Sequence, residues 1–140
     1  MGKLSRFLAV TSAALLFALA IGRAHADTTY LKWNKSTAKN VAFVVAEHWD
    51  VHPDCSLRGY PTAKVVSAPK HGTTKVGRGK FKLKGPFAKS PYYKCKSPTV
   101  SGTTIRYTPK PGFTGKDVLK VRATYSTGDV HVIDIVVTVR

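Results

Sequence analysis

The chain has 140 residues, of which 23 are lysine or arginine and only seven are aspartate or glutamate, giving a formal charge of +16 at pH 7. Without residues 1–26, which are predicted below to be a signal, about 114 residues remain, a length that suits one ordinary hydrophobic core and is too small for two. Lysine predominates over arginine, which favours diffuse electrostatic contact over bidentate recognition, so we expect no sequence-specific nucleic-acid partner.

Residues 1–26 have the features of a cleavable secretory signal. Lys3 and Arg6 precede an apolar run of about 15 residues, and Ala24-His25-Ala26 supplies the small residues that signal peptidase recognises. The run is shorter than the roughly 20 residues that a membrane-spanning helix needs, and no later segment approaches that length. We therefore predict a signal helix, cleavage after Ala26, a periplasmic or extracellular mature chain and no transmembrane span. An uncleaved N-terminal anchor is the alternative.

Residues 27–60 are predicted to form an N-terminal arm and the first strand or strands. Tyr30, Leu31 and Trp33 are the large apolar residues of the polar stretch 27–40, which fits an arm or an edge strand. The next segment, 41–51, fits both a helical and a two-residue period. Its β-branched and aromatic residues favour a strand.

The segment His48-x-Asp50-x-His52-x-Asp54 is a candidate metal site. In an extended strand all four side chains would project from one face, and imidazole with carboxylate suits Zn²⁺ or Cu²⁺. Pro53 favours an early end to the strand, so a solvated polar face or turn caps are the alternative reading. No other cofactor is predicted.

Cys55 and Cys95 are the two cysteines of the chain, and both follow the predicted cleavage site. Because exported chains meet oxidising surroundings, we expect these residues to form a disulfide. Closing a loop of about 40 residues would remove roughly 4 kcal/mol of unfolded-state entropy. Two free thiols for redox or metal chemistry are the alternative, which the lack of a Cys-x-x-Cys pair disfavours.

Extended patterns at 63–66 and 73–76 flank a turn that contains Pro69 and Gly72. We interpret this stretch as a hairpin.

A strongly basic stretch follows, because no carboxylate occurs between Asp54 and Asp117. Phe81 and Leu83 alternate with lysines, which predicts a basic edge strand or a long loop over 77–98. Such a surface attracts polyanions, with steep salt dependence. The predicted basic binding face consists of Lys75, Arg78, Lys80, Lys82, Lys84, Lys89, Lys94 and Lys96.

Alternating apolar and polar residues predict three strands in the C-terminal part of the chain, over 103–108, 119–125 and 130–139. Pro109 ends the first strand, and the segment 126–129 reverses the chain between the other two. Together with the earlier segments this gives six to eight strands. The predicted fold is therefore all-β, an antiparallel sandwich of two sheets in a single domain.

Within this region the sequence reads Tyr107-x-Pro109-x-x-Gly112-Phe113-x-Gly115-x-Asp117-x-Leu119-x-Val121, preceded by Pro69-x-His71-Gly72. With the valine-rich last strand, the pattern resembles bacterial Ig-like and cadherin-like domains, over roughly residues 61–139. The resemblance implies an Ig-like sandwich core over 61–140 and a spacer, adhesion or accessory role. The acidic runs that hold calcium between cadherin-like repeats are missing, so calcium binding is not implied.

The residues of this pattern also have local physical roles. Gly112 and Gly115 permit a tight connector, Phe113 closes the end of the core, and Asp117 can accept backbone N–H groups.

Catalytic signatures are absent from the sequence: there is no Gly-x-Ser-x-Gly elbow, no His-Glu-x-x-His and no phosphate loop. We predict that the protein is not an enzyme. The first hypothesis is an exported binding or adhesion module for an anionic polysaccharide, lipopolysaccharide or a protein partner. The alternatives are a structural spacer or envelope-stability domain, and a metal-binding protein that uses His48 and His52. The sequence leaves the oligomeric state open.

Overall fold

The computed structural model of the chain describes residues 26–84 and 89–140. Regular structure in these residues consists of nine β-strands and one short 3₁₀ helix at Tyr93–Lys96, which makes the fold all-β, as predicted. The strands are β1 (Thr28–Thr37), β2 (Phe43–His48), β3 (Asp50–Val51), β4 (Leu57–Gly59), β5 (Thr62–Ser67), β6 (Gly72–Lys82), β7 (Thr99–Pro109), β8 (Gly115–Thr124) and β9 (Val130–Val139).

The predicted signal over 1–26 lies, apart from Ala26, outside the described residues. Within the described ranges, no helix has both the length and the apolar character that crossing a membrane requires.

Seven of these strands form two main sheets. The first sheet has the order β1-β9-β8-β5 and the second has the order β2-β7-β6, while β3 and β4 pair separately. All neighbouring strands are antiparallel except β1, which runs parallel to β9 from the pair Thr28 and Val130 to the pair Thr37 and Val139. The described residues thus hold more strands than the six to eight expected, and one edge of the first sheet is parallel.

The two sheets pack face to face around one core, which we call the inter-sheet core. Leu119 of β8 and Ile135 of β9 come from the first sheet, and Ile105 and Tyr107 of β7 from the second, and all four are fully buried. The predicted two-residue alternation is therefore confirmed in β7, β8 and β9. Burial of one row on each strand is what holds the sheets together.

The hairpin predicted between 63–66 and 73–76 is wrong. β5 pairs with β8 in the first sheet and β6 pairs with β7 in the second, so residues 68–71 cross between the sheets. The buried carboxylate of Asp117 explains this path, because it accepts the backbone N–H groups of Lys70 and His71, each at 2.9 Å. A turn-like sequence can serve either connection, and the buried acceptor selects the crossing.

The connector before β8 follows its prediction. Gly112 and Gly115 have positive φ angles of 77° and 123°, which a residue with a side chain rarely adopts. Phe113 packs against the inter-sheet core and stacks on His71 with ring centroids 4.3 Å apart. Asp117 also accepts a hydrogen bond from the Tyr107 hydroxyl at 3.0 Å, and burial together with this bond raises the pKa of Tyr107.

Segment 41–51 is extended, as favoured, but its alternation is interrupted. The pairing of β2 with β7 shifts register between Val44 and Ala46, which marks a β-bulge at Val45. Val45 and Ala46 are consequently both buried. Beyond the bulge His48 faces the inter-sheet core, and Glu47 lies on the opposite side of the strand from it.

A second, smaller apolar cluster lies on the other side of the second sheet, and we call it the outer cluster. It contains Val51, Leu83, Cys95 and Val100, and it is closed by the predicted disulfide between Cys55 and Cys95. Val100 lies on the side of β7 opposite to the inter-sheet core, since its position and that of Ile105 differ by an odd number of residues along the strand. A disulfide of this kind is typical of exported proteins.

Candidate functional site

An open groove runs between the edges of the two sheets. β1 is one edge strand of the first sheet and β2 is one edge strand of the second, and within the described residues each has a partner strand on one side only. The groove has a volume of about 610 Å³ and is lined by residues 32–35, 44–47, Trp49 and 81–84. It combines charged and aromatic side chains that come from both sheets.

The groove is strongly basic. Lys32 and Lys35 come from β1, Lys82 ends β6 and Lys84 follows it, and all four are exposed. Glu47 is the acidic residue that lines the groove. Four ammonium groups against one carboxylate, in an open cleft, attract anions.

Both tryptophans of the chain lie in this groove. Trp33 packs against the inter-sheet core and stacks on the His48 ring, with centroids 6.1 Å apart. Trp49 packs against the outer cluster and meets the Tyr92 ring edge-on at 5.3 Å. Each indole is therefore held by a different apolar cluster. The ammonium of Lys35 lies 5.4 Å from the Trp33 ring centroid, a cation–π contact.

A second pocket of about 330 Å³ adjoins the groove and shares Trp33, Glu47 and Trp49 with it. Its remaining wall includes Tyr92 of the outer cluster and Tyr125, which follows β8. The groove and this pocket form one continuous concave surface with a basic half and an aromatic half.

Behind the pocket, the Tyr125 hydroxyl bridges two histidines, at 3.2 Å from His48 Nδ1 and 3.3 Å from His131 Nδ1. A hydroxyl has a single proton, so it donates to one imidazole and accepts from the N–H of the other. Burial raises the pKa of Tyr125 to about 12, with a contribution from the charge of Asp50. Burial, assisted by His131, lowers the pKa of His48 to about 4. His48 and Tyr125 are therefore both uncharged near neutral pH, and the hydrogen bonds of the Tyr125 hydroxyl link their rings to His131 behind the pocket.

Asp50 ties the pocket to the turn that follows β8. Its carboxylate accepts hydrogen bonds from the backbone N–H of Ser126 at 2.8 Å and from the Ser126 hydroxyl at 2.5 Å. The guanidinium of Arg58 lies 3.6 Å away. These contacts account for a carboxylate that is almost completely buried.

The predicted metal cluster is not assembled. His48 and Asp50 are buried with the partners described above, whereas His52 and Asp54 are exposed in the turn beyond β3. Hydrogen bonds from the Ser56 hydroxyl and backbone N–H hold the pKa of Asp54 below its usual range. Across residues 26–84 and 89–140, no group of three or more His, Cys, Asp or Glu side chains could hold a metal ion. The strand ends at Val51, so the four positions do not share an extended face.

The eight residues of the predicted basic face are all exposed, but they do not share one plane. Lys75 is paired with Arg106 and lies on the opposite side of β6 from Arg78, Lys80 and Lys82. Arg78 packs on the Tyr60 ring at 4.2 Å. Lys94 and Lys96 flank Cys95 in the 3₁₀ helix, and Lys89 follows the undescribed residues 85–88. Of the eight residues, only Lys82 and Lys84 line the groove.

Sequence reasoning missed the groove residues outside that set. Lys32, Trp33 and Lys35 reach the site because β1 pairs with β9, a contact between opposite ends of the described chain that no local pattern signals. His131 lies on the same side of β9 as the buried residues Ile133 and Ile135, so the two-residue alternation of this strand already indicates that its side chain faces inward. Trp49 faces the groove because of the bulge at Val45.

Comparison with protein-family profiles, curated protein sequences and solved structures gave no match to this chain. The resemblance to Ig-like and cadherin-like domains therefore stays a prediction.

Proposed function

We propose that the protein is an exported, non-catalytic binding module that holds an anionic polysaccharide in the groove between its two sheets. The observation that carries this proposal is the grouping of Lys32, Lys35, Lys82 and Lys84 around two tryptophans in one open cleft. The ammonium groups pair with carboxylate, sulfate or phosphate groups of the polymer, and the indole faces offer flat apolar surface to its sugar rings.

An open groove suits a polymer better than a deep pocket would, because a chain can enter and leave along its length. Lysine supplies point charges on flexible stems, which tolerate variation in the spacing of anionic groups along a polymer. Acidic polysaccharides and lipopolysaccharide are among the polyanions that a periplasmic or extracellular protein meets. The predicted signal over 1–26 and the disulfide between Cys55 and Cys95 support that location.

The test compares two variants that lose the same charge at different places. In Lys82→Ala/Lys84→Ala the groove loses half of its lysines, whereas Lys64→Ala/Lys116→Ala removes two exposed lysines that do not line the groove. Binding to heparin and to lipopolysaccharide is measured across a salt series. The slope of log affinity against log salt should fall by about two for the groove variant and by much less for the control.

Two results would overturn the proposal. Equal losses in the two variants would mean that net charge, and not the groove, governs binding. Absence of salt-dependent retention of the wild-type protein would favour the alternative of a spacer domain whose charge only aids solubility.

A further inference from the structure

The pocket beside the lysine groove has the opposite character. Its walls carry four aromatic side chains, Trp33, Trp49, Tyr92 and Tyr125, all of them partly buried. No lysine appears among the described residues that line it. At about 330 Å³ the pocket lies at the small end of the range for small-molecule sites, so it suits a compact group rather than a polymer.

Negative charge is concentrated around this pocket. Glu47, Asp50 and Asp129 line it, which is three of only seven acidic residues in a chain of formal charge +16. Arg58 also lines the pocket, but its guanidinium lies beside Asp50 at 3.6 Å, so its charge is already balanced. Glu47 and Asp129 form no ion pair within the described ranges. Glu47 also lines the lysine groove, so Asp129 is the unpaired carboxylate that lines the pocket and not the groove.

We propose that this aromatic pocket binds a small organic ammonium cation, with a quaternary ammonium group as the best fit. The faces of aromatic rings are negative and attract cations that have weak hydration shells. A quaternary ammonium donates no hydrogen bond, so it needs aromatic walls and nearby carboxylates rather than paired acceptors. The pocket shares Trp33, Glu47 and Trp49 with the polysaccharide groove, but the lysines of the groove do not line it, so different variants test the two proposals.

The rings of the pocket are held in fixed positions, which favours recognition of one shape. Trp49 is braced by Tyr92, and Trp33 is stacked on His48, which in turn bonds to the Tyr125 hydroxyl. Rings that are already ordered lose little conformational freedom when the cation enters.

The test titrates choline chloride and tetramethylammonium chloride into the full mature protein and follows tryptophan fluorescence. Both tryptophans of the chain line the pocket and also the groove, so the signal reports binding at their shared wall, and the acidic variants described next locate the site. The neutral isostere of choline, 3,3-dimethyl-1-butanol, separates charge from apolar contact, and sodium chloride at equal ionic strength is the blank. We expect saturable binding of both cations and affinity for the neutral alcohol weaker by roughly tenfold or more.

A matched pair of acidic variants locates the site. Asp129→Asn removes one pocket charge while keeping an acceptor for the Thr127 hydroxyl, which lies 2.7 Å away. Asp134→Asn removes an exposed carboxylate that does not line the pocket and is paired with Lys120 at 3.4 Å. Choline affinity should fall by roughly threefold or more in the first variant and stay unchanged in the second. Calorimetry on both proteins confirms the fluorescence result.

The proposal is overturned if the wild-type protein shows no saturable binding, if the neutral alcohol binds as well as choline, or if both acidic variants weaken binding equally. The groove variant Lys82→Ala/Lys84→Ala keeps choline affinity in this scheme. A protein that binds choline and fails to bind heparin would therefore refute the polysaccharide groove alone, and the reverse pattern would refute the ammonium pocket alone.

Discussion

The inter-sheet core and the outer cluster are built in different ways. The first is filled by alternating residues of long neighbouring strands, such as Leu119 on β8 and Ile135 on β9, which are paired directly. The second collects Val51, Leu83 and Cys95 from separate segments onto the outer side of the second sheet and closes them with a disulfide. The inter-sheet core is therefore stabilised by the alternating side chains of paired strands, whereas the outer cluster is stabilised by a covalent bond between residues distant in sequence.

The concave surface lies where these two regions meet. Trp33 packs on the inter-sheet core and Trp49 packs on the outer cluster, so the distance between the two indoles depends on both. A change confined to the outer cluster should therefore move one wall of the site and leave the other in place. The comparison can be tested by weakening each region separately.

The largest effect is expected from removing the disulfide in Cys55→Ser/Cys95→Ser. The loop between these residues spans a sequence separation of 40, so the free energy of unfolding should fall by roughly 4 kcal/mol on the chain-entropy model. Urea unfolding followed by far-UV circular dichroism measures this loss. Trp49 should also become more mobile, which polarised tryptophan fluorescence detects.

The control for this prediction is reduction by dithiothreitol, which should destabilise the wild-type protein and leave the serine variant unchanged. A loss below about 1 kcal/mol would mean that the outer cluster holds without its bond and that the contrast between the two regions is false.

The second prediction compares the same substitution in the two regions. Leu119→Ala creates a cavity between two long sheets and should cost about 3 kcal/mol, whereas Leu83→Ala, next to exposed Lys82 and Lys84, should cost about 2 kcal/mol because that site can relax. Urea midpoints of the two variants give both values. Only Leu83→Ala should weaken ligand binding at the groove, since Leu83 lines it and Leu119 does not. The reverse order of stability would show that the outer cluster is the more rigid region.

The same contrast explains how far the sequence could predict the fold. In β8 and β9 each side chain's environment follows from a two-residue period, so strands, turn and buried rows were all predictable. Asp117 was predictable as an acceptor from its place after a glycine connector, although the crossing of residues 68–71 that it secures was not.

The site was predictable only in part. Exposed Lys82 and Lys84 were found from charge alone, but their partners Lys32 and Lys35 arrive through a parallel pairing of β1 with β9 that is not encoded locally. The metal cluster failed for a related reason, since it assumed an unbroken strand from His48 to Asp54. In the structure β2 ends at His48 and β3 ends at Val51, and the buried His48 forms a hydrogen bond with Tyr125 instead.

The third prediction concerns pH and addresses the inter-sheet side of the site. Burial lowers the pKa of His48 from its ordinary value of 6.5 to about 4, with Tyr125 and His131 as its polar neighbours. Between these two pKa values the unfolded chain binds a proton that the folded chain does not bind, so stability falls as the pH falls. The loss between pH 7 and pH 5 should be about 2 kcal/mol, because one proton corresponds to about 1.4 kcal/mol per pH unit.

Urea unfolding of the wild-type protein and of two matched histidine variants at pH 7, 6 and 5 measures this effect. His48→Gln should be less stable at pH 7 yet show a flatter pH dependence, because the buried group no longer titrates. His52→Gln, which changes an exposed histidine in the turn beyond β3, should keep the wild-type slope. If the two variants instead flattened the profile equally, the acid sensitivity would arise at the surface. If His48→Gln kept the full dependence of stability on pH, His48 would not be the buried neutral imidazole that titrates. The Trp33 side of the pocket would then not be supported by a neutral His48 ring bonded to Tyr125.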